Sequence, residues 1–182
     1  MSVSCGRTTS SRSSTKTFDA RAFLFKVVQQ KGSPAKNTTT CAEIMRDPKT
    51  TVGNVIDNAK TSFISSIDSE GFPNTKAMLA VRKRDGIKTL WFTSNTSSMR
   101  AAQYRANPKA CAYFCDTRFF KGVQLLGTME VCEDAETKEM IWREGDQMYY
   151  PKGVADPDYC VLKFTAAKGR FYSNFKSKNF EV

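Results

Sequence analysis

The chain has 182 residues, 40% of them hydrophobic, with 13 phenylalanines and a formal net charge of +10. That length suits one domain with a sizeable core, and no apolar run reaches the roughly 18 residues needed to span a bilayer, so a soluble protein is expected. Histidine is absent, which excludes Ser-His-Asp and Cys-His nucleophiles, histidine-containing zinc sites and histidine acid–base catalysis.

Chemistry at neutral pH then falls to Cys, Lys, Tyr, carboxylates or a bound cofactor, and a cofactor is the better account. Residues 1–50 carry nine Lys+Arg against three Asp+Glu, and the remainder nineteen against fifteen. More than half of the excess charge therefore lies in the N-terminal segment. With no recognised reader motif beside it, the charge does not argue for nucleic-acid binding. The six cysteines form no CxxC pair and read as reduced thiols acting as small core residues.

Residues 1–17 are rich in Ser and Thr, contain Arg7, Arg12 and Lys16, and lack acidic residues. They read either as an organellar transit peptide or as a flexible tail, so the expected location is cytoplasmic, or mitochondrial or plastid if they act as an address. A short helix fits residues 18–30, and 31–40 is a linker by composition. The domain organisation is thus a basic N-terminal segment, 1–40, and a folded domain, 41–182.

The spacing predicts helical pieces over 41–60, separated at Pro48. A strand at 62–68 follows, with Phe63 and Ile67 alternating around small residues. A turn ending at Gly71 leads into an antiparallel strand at 74–83. Further strands are expected at 87–93, 110–115 and 122–131, the last with a bulge or close approach at Gly127, then at 159–165 and 170–174. Helices are expected at 96–106, closed by Asn107-Pro108, and at 134–144. Six or seven antiparallel strands with helices at the corners imply a mainly β fold, curled or closed to hide its edges.

The start of the 96–106 helix is a candidate anion site. Thr93, Ser94, Ser97 and Ser98 place hydroxyls beside it, Arg100 lies in the first turn, and Lys76 on a neighbouring strand supplies a second charge. Arg binds phosphate by a planar fork and Lys by a point charge, so the pair suits a phosphate monoester. A plain N-cap also accounts for the hydroxyls, and solvent-facing Lys and Arg for the charges.

The motif order SEGFPNTKAM, LWFTSNTSSMR, YRANPKACAYF, VQLLGTMEV, YYPKGVADPDYCVLKF and GRFYSNF resembles the FMN-binding split-barrel family of pyridoxamine-phosphate-oxidase-like proteins, most of all their general-stress-protein branch. The resemblance covers about the last 130 residues. It implies a six-stranded antiparallel split β-barrel that forms a homodimer with FMN at the interface. By position it assigns Lys76 and Arg100 to the phosphate, with Thr93 and Ser97 as its hydroxyls and Ser94 beside them. It sets the strand residues Ala77, Met78 and Leu79 along the isoalloxazine, Gln124 (or its neighbour Val123) on a strand reaching the ring, and Tyr172 as an aromatic from the partner subunit. Ordinary core packing is the other reading of Tyr172, Phe171 and Trp91.

Two departures bear on the reaction. Val81 stands where the vitamin oxidase has a lysine touching both FMN and substrate, and a chain without histidine lacks the oxidase's C-terminal Arg-x-His. The resemblance therefore implies flavin binding more than pyridoxamine 5'-phosphate oxidation. The leading expectation is a flavin-dependent oxidoreductase of unknown substrate, fed by a small-molecule or nicotinamide donor. The alternative is a non-catalytic binding or storage module for flavin or another planar cofactor such as haem or deazaflavin.

Overall fold

The computed structural model describes residues 48–118 and 120–182. The expected tail, helix and linker at 1–40, and the helical piece at 41–47, lie outside the described residues. Helix α1 (Pro48–Asn58) is followed by strands β1 (Thr61–Ile67), β2 (Pro73–Leu79), β3 (Lys83–Asp85) and β4 (Thr89–Asn95), and then by helix α2 (Met99–Ala106). Strands β5 (Lys109–Asp116) and β6 (Lys121–Cys132), helix α3 (Ala135–Ile141), and strands β7 (Tyr159–Ser173) and β8 (Lys176–Glu181) complete the order.

All strand pairs are antiparallel, in the order β2-β1-β5-β6-β7-β4-β3, with β8 also on β7. Six of these strands, β2-β1-β5-β6-β7-β4, make the split barrel, and the short β3 and β8 extend it. The sheet does not close: β2 pairs only with β1, and β4 pairs with β7 along its length but with β3 only at residues 89–91. That leaves one edge of β2 and the outer end of β4 without a strand neighbour.

Helix α1 starts on Pro48, whose missing amide hydrogen costs nothing in a first turn. Val52, Val55, Ile56 and Ala59 recur at helical spacing and are buried, in one core with Ile64, Leu90, Phe92, Phe114, Val123, Leu125, Leu162 and Phe164. Arg84 ties α1 to β3, donating from Nε and Nη2 to the two carboxylate oxygens of Asp57 at 2.7 and 2.6 Å. The guanidinium lies over Gly53, where an added Cβ would meet it at 3.2 Å. A smaller aromatic cluster, Tyr150, Tyr159 and Trp142, packs with Ile141 and Val161 on the other face of β7.

Several boundaries differ from the sequence-based expectation. The second strand ends at Leu79, and Lys83–Asp85 turns back onto β4 instead of extending it, with Arg82 N–H donating to the Trp91 carbonyl at 2.9 Å. Ile87 and Lys88 belong to the turn, and β4 begins at Thr89. The two expected final strands are one strand, β7. Residues 166–169 (AAKG) lack large apolar side chains and interrupt the pattern, yet Ala166, Lys168 and Gly169 stay paired with β6. The alternation of β1 is phased the other way. Ser62, Ile64 and Ser66 face in, whereas Phe63 is 37% exposed. The inward serines are satisfied locally, Ser62 Oγ donating to the Leu79 carbonyl at 2.8 Å and Ser66 Oγ to Gln103 Oε1 on α2 at 2.6 Å. Side-chain size misreads the face because these serines, with their hydroxyls hydrogen-bonded, are as buried as Ile64.

Gly127 marks a register shift between β6 and β7, and a Cβ there would overlap the Thr165 carbonyl oxygen. Backbone cannot swing aside as a flexible side chain can. Gly127→Ala is therefore expected to destabilise the fold by about 1–3 kcal/mol, read as a lower urea midpoint with an unchanged slope.

Candidate functional site

The unpaired edges of β2 and β4 border a cleft of about 480 Å³, within the range of small-molecule sites. Seven of the ten residues singled out from the sequence line it: Lys76, Ala77, Met78 and Leu79 from β2, Thr93 and Ser94 from β4, and Arg100 from α2. Strand β2 is exposed on both faces, with only Asn74 and Met78 partly buried. Leu79 is 59% exposed, unusual for an apolar residue on a strand with a core beside it.

Arg100 dominates the electrostatics. It is 9% exposed, and the hydrogen bond it makes runs from Nη1 to the Met78 thioether sulfur at 2.9 Å, a weak acceptor. No carboxylate pairs with it among the described residues. Burial lowers its pKa from the ordinary guanidinium range, with nearby Tyr104 acting the other way. Tyr104 does not neutralise it, because burial pushes that phenol up to about 12. A guanidinium taken out of water with so little in return is costly unless an anion joins it. Lys76, on the exposed β2, adds a second cation that is unpaired among the described residues, none of whose carboxylates lines the cleft.

Arg82, the third cation, is compensated. Its Nη2 donates to Asp146 Oδ1 at 2.8 Å with both side chains nearly buried. Asp146 Oδ2 accepts from the Arg143 amide at 3.1 Å, and Arg143 Nη2 donates to the Arg82 carbonyl at 2.6 Å. This knot fastens the β2–β3 connection to the segment after α3, which brings Tyr149 and Tyr150 into the cleft lining.

Ser97, Gln124 and Tyr172 do not line the cleft. Helix α2 begins at Met99 with Ser98 as its N-cap, Ser98 Oγ accepting from Ala101 N–H at 3.2 Å. Ser97 precedes it, and its amide donates to Asp158 Oδ1 at 2.8 Å while Asn95 Nδ2 donates to Asp158 Oδ2 at 2.7 Å. The chain's own carboxylate thus occupies the amide at that helix start. Gln124 lies on the outer face of the sheet in a cross-strand row, Ala77–Phe63–Tyr113–Gln124–Arg170, that begins at the cleft. Tyr172, paired with Gly122 and 38% exposed, lies on the same face.

Sequence reasoning missed Arg82, Tyr149 and Tyr150 as cleft residues, although YYPKGVADPDYCVLKF was among the motifs noted. A double tyrosine before a proline marks a turn, and nothing local shows which wall it meets. If Arg100 is held for a ligand and not for the fold, Arg100→Met should leave the ligand-free protein at least as stable. The expected gain is about 1 kcal/mol, measured by thermal unfolding in anion-poor buffer; a large loss would make the guanidinium structural.

Residues 48–173 match the family model described as pyridoxamine 5'-phosphate oxidase. A Clostridium acetobutylicum structure, described as a protein related to general stress protein 26 of B. subtilis (pyridoxinephosphate oxidase family), is 37% identical with a TM-score of 0.68. The match covers 73% of this chain and 93% of that one. General stress protein 26 of Bacillus anthracis is 14% identical, TM-score 0.62, over 74% and 98% of the two chains. A nimC/nimA family protein, also from C. acetobutylicum, is 20% identical, TM-score 0.61, over 75% and 94%; these last two show the fold alone. Comparison with the curated proteins finds no match. The open antiparallel barrel, the cleft at its split and the match through residues 48–173 together make this chain a member of the pyridoxamine 5'-phosphate oxidase family, on its general-stress-protein side.

Proposed function

We propose that the cleft binds FMN and that the protein is a flavin-dependent oxidoreductase. The observation that carries this reading is Arg100, a buried cation without a carboxylate partner among the described residues, at the edge of a cleft also lined by Lys76, Thr93 and Ser94. That donor set suits a phosphate monoester. The unpaired edge of β2 offers main-chain donors and acceptors, and Met78 and Leu79 offer apolar surface, as a flat heteroaromatic ring with a polar rim requires. Bound flavin would supply reversible two-electron chemistry, while these residues hold it and exclude water.

The reading does not extend to pyridoxamine 5'-phosphate oxidation. Val81 packs against the apolar core and brings no charge to the cleft. The expected bound flavin is reduced by NADH or NADPH under anaerobic conditions, and a purified protein that is colourless and takes up no added FMN would overturn the proposal. Arg100→Ala is expected to weaken FMN binding by about 1.5–3 kcal/mol, measured by titration; unchanged affinity would move the phosphate elsewhere.

We further propose a homodimer built on the outer sheet face. Phe63, Tyr113 and Tyr172, each 37–38% exposed, share that face with Gln124, and a second copy covering it would bring Gln124 and Tyr172 toward the flavin of its partner. Native mass spectrometry is expected to give a dimer with two FMN. Phe63→Glu should shift it to monomer and weaken FMN together, whereas a monomer that binds FMN at full strength would overturn the shared site.

A further inference from the structure

Residues 145–158 run from the end of α3 toward β7 as a strap with two short 3-10 turns, Asp146–Met148 and Gly153–Ala155. It is pinned near both ends by carboxylates. Asp146, 4% exposed, is bound to Arg82 at the β2–β3 connection, and Asp158 is bound to Asn95 and the Ser97 amide at the end of β4. Asp156 stiffens the middle, its carboxylate accepting from the Lys152 and Asp158 amides at 3.2 and 3.0 Å.

Between the pins the strap delivers two adjacent tyrosines that stand in opposite situations. Tyr150 is 5% exposed, its ring centroid 4.6 Å from that of Tyr159 and 6.3 Å from that of Trp142. Tyr149 lines the same cleft but is 59% exposed, and its hydroxyl has no hydrogen-bond partner among the described residues. Its backbone is fixed by its amide, which donates to the Asp146 carbonyl at 2.9 Å, as does that of Tyr150 at 3.0 Å. A tyrosine that lines a cleft, stays largely exposed and has its backbone already held can stack on a ligand with little ordering cost left.

We propose that Tyr149 is a ligand-contacting, specificity-determining residue that stacks on the planar heteroaromatic part of the bound molecule, so that the strap selects flat ring systems over flexible phosphate esters. The inference rests on the flavin reading. Its test is an equilibrium titration of the full chain with FMN, following both affinity and flavin emission, because a stacked tyrosine quenches an excited flavin by electron transfer and a phenylalanine does not. Tyr149→Ala is expected to weaken FMN binding about tenfold, the scale of one aromatic stack, and to raise the emission of the bound flavin. Tyr149→Phe should keep the affinity within about twofold while also raising the emission. A parent-like affinity and quenching in Tyr149→Ala would overturn this inference and leave the flavin reading standing. A parent chain that binds no FMN would overturn both.

Discussion

The architecture depends on how β7 distributes its two edges. One edge pairs with β6 over residues 161–172, and the other is shared between β4 over residues 159–165 and β8 over 168–173. Because β4 is held by β7 on one side and by β3 only at residues 89–91 on the other, its outer end has no strand neighbour. Strand β2, at the far end of the sheet, has none beyond β1 either. Closing these edges on each other would finish a barrel and remove the cleft. The sheet stops short, and unsatisfied main-chain edges and bare side chains collect where a ligand would be useful.

Three arginines show how charge is handled around that opening. Arg84 meets Asp57 through two hydrogen bonds and holds a helix; the pairing lowers the Asp57 pKa below 3.8. Arg82 meets Asp146 and holds the strap. Arg100 meets a thioether. The first two follow the usual rule that buried or half-buried charges are paired, so the exception on α2 stands out against a chain able to supply counter-ions. On the proposed reading, function and stability are set against each other at that one position.

Family membership and reaction are separate conclusions here. The fold and the match through residues 48–173 place the chain in the pyridoxamine 5'-phosphate oxidase family, but a fold carries many chemistries and the site decides among them. Val81 packs against the core, and the cleft is lined by Lys76, Arg100 and the exposed Tyr149 of the strap. The chain has no histidine, and position 81 brings no lysine to bind and oxidise a second phosphate ester.

Local physics made much of the molecule legible from the sequence. Pro48, Gly71 and Asn107-Pro108 punctuate the chain because proline restricts the backbone and glycine admits the turn, and the spacing of Val52, Val55, Ile56 and Ala59 marks a buried helix face. Lys76, Thr93 and Arg100 could be singled out because residue types suited to phosphate lay close together in sequence. What sequence alone could not decide were matters of long-range pairing: which face of β1 turns inward, that Asp158 takes the Ser97 amide from 61 residues away, and that Asp146 reaches Arg82 across 64. An aspartate in REGDQM looks like a solvated turn until a distant arginine meets it, and Tyr149 looks like any surface tyrosine until the strap is pinned. Propensity acts within a few residues, whereas hydrogen bonds between remote segments exist only once the sheet has brought those segments together, and the walls of the cleft are made of the latter.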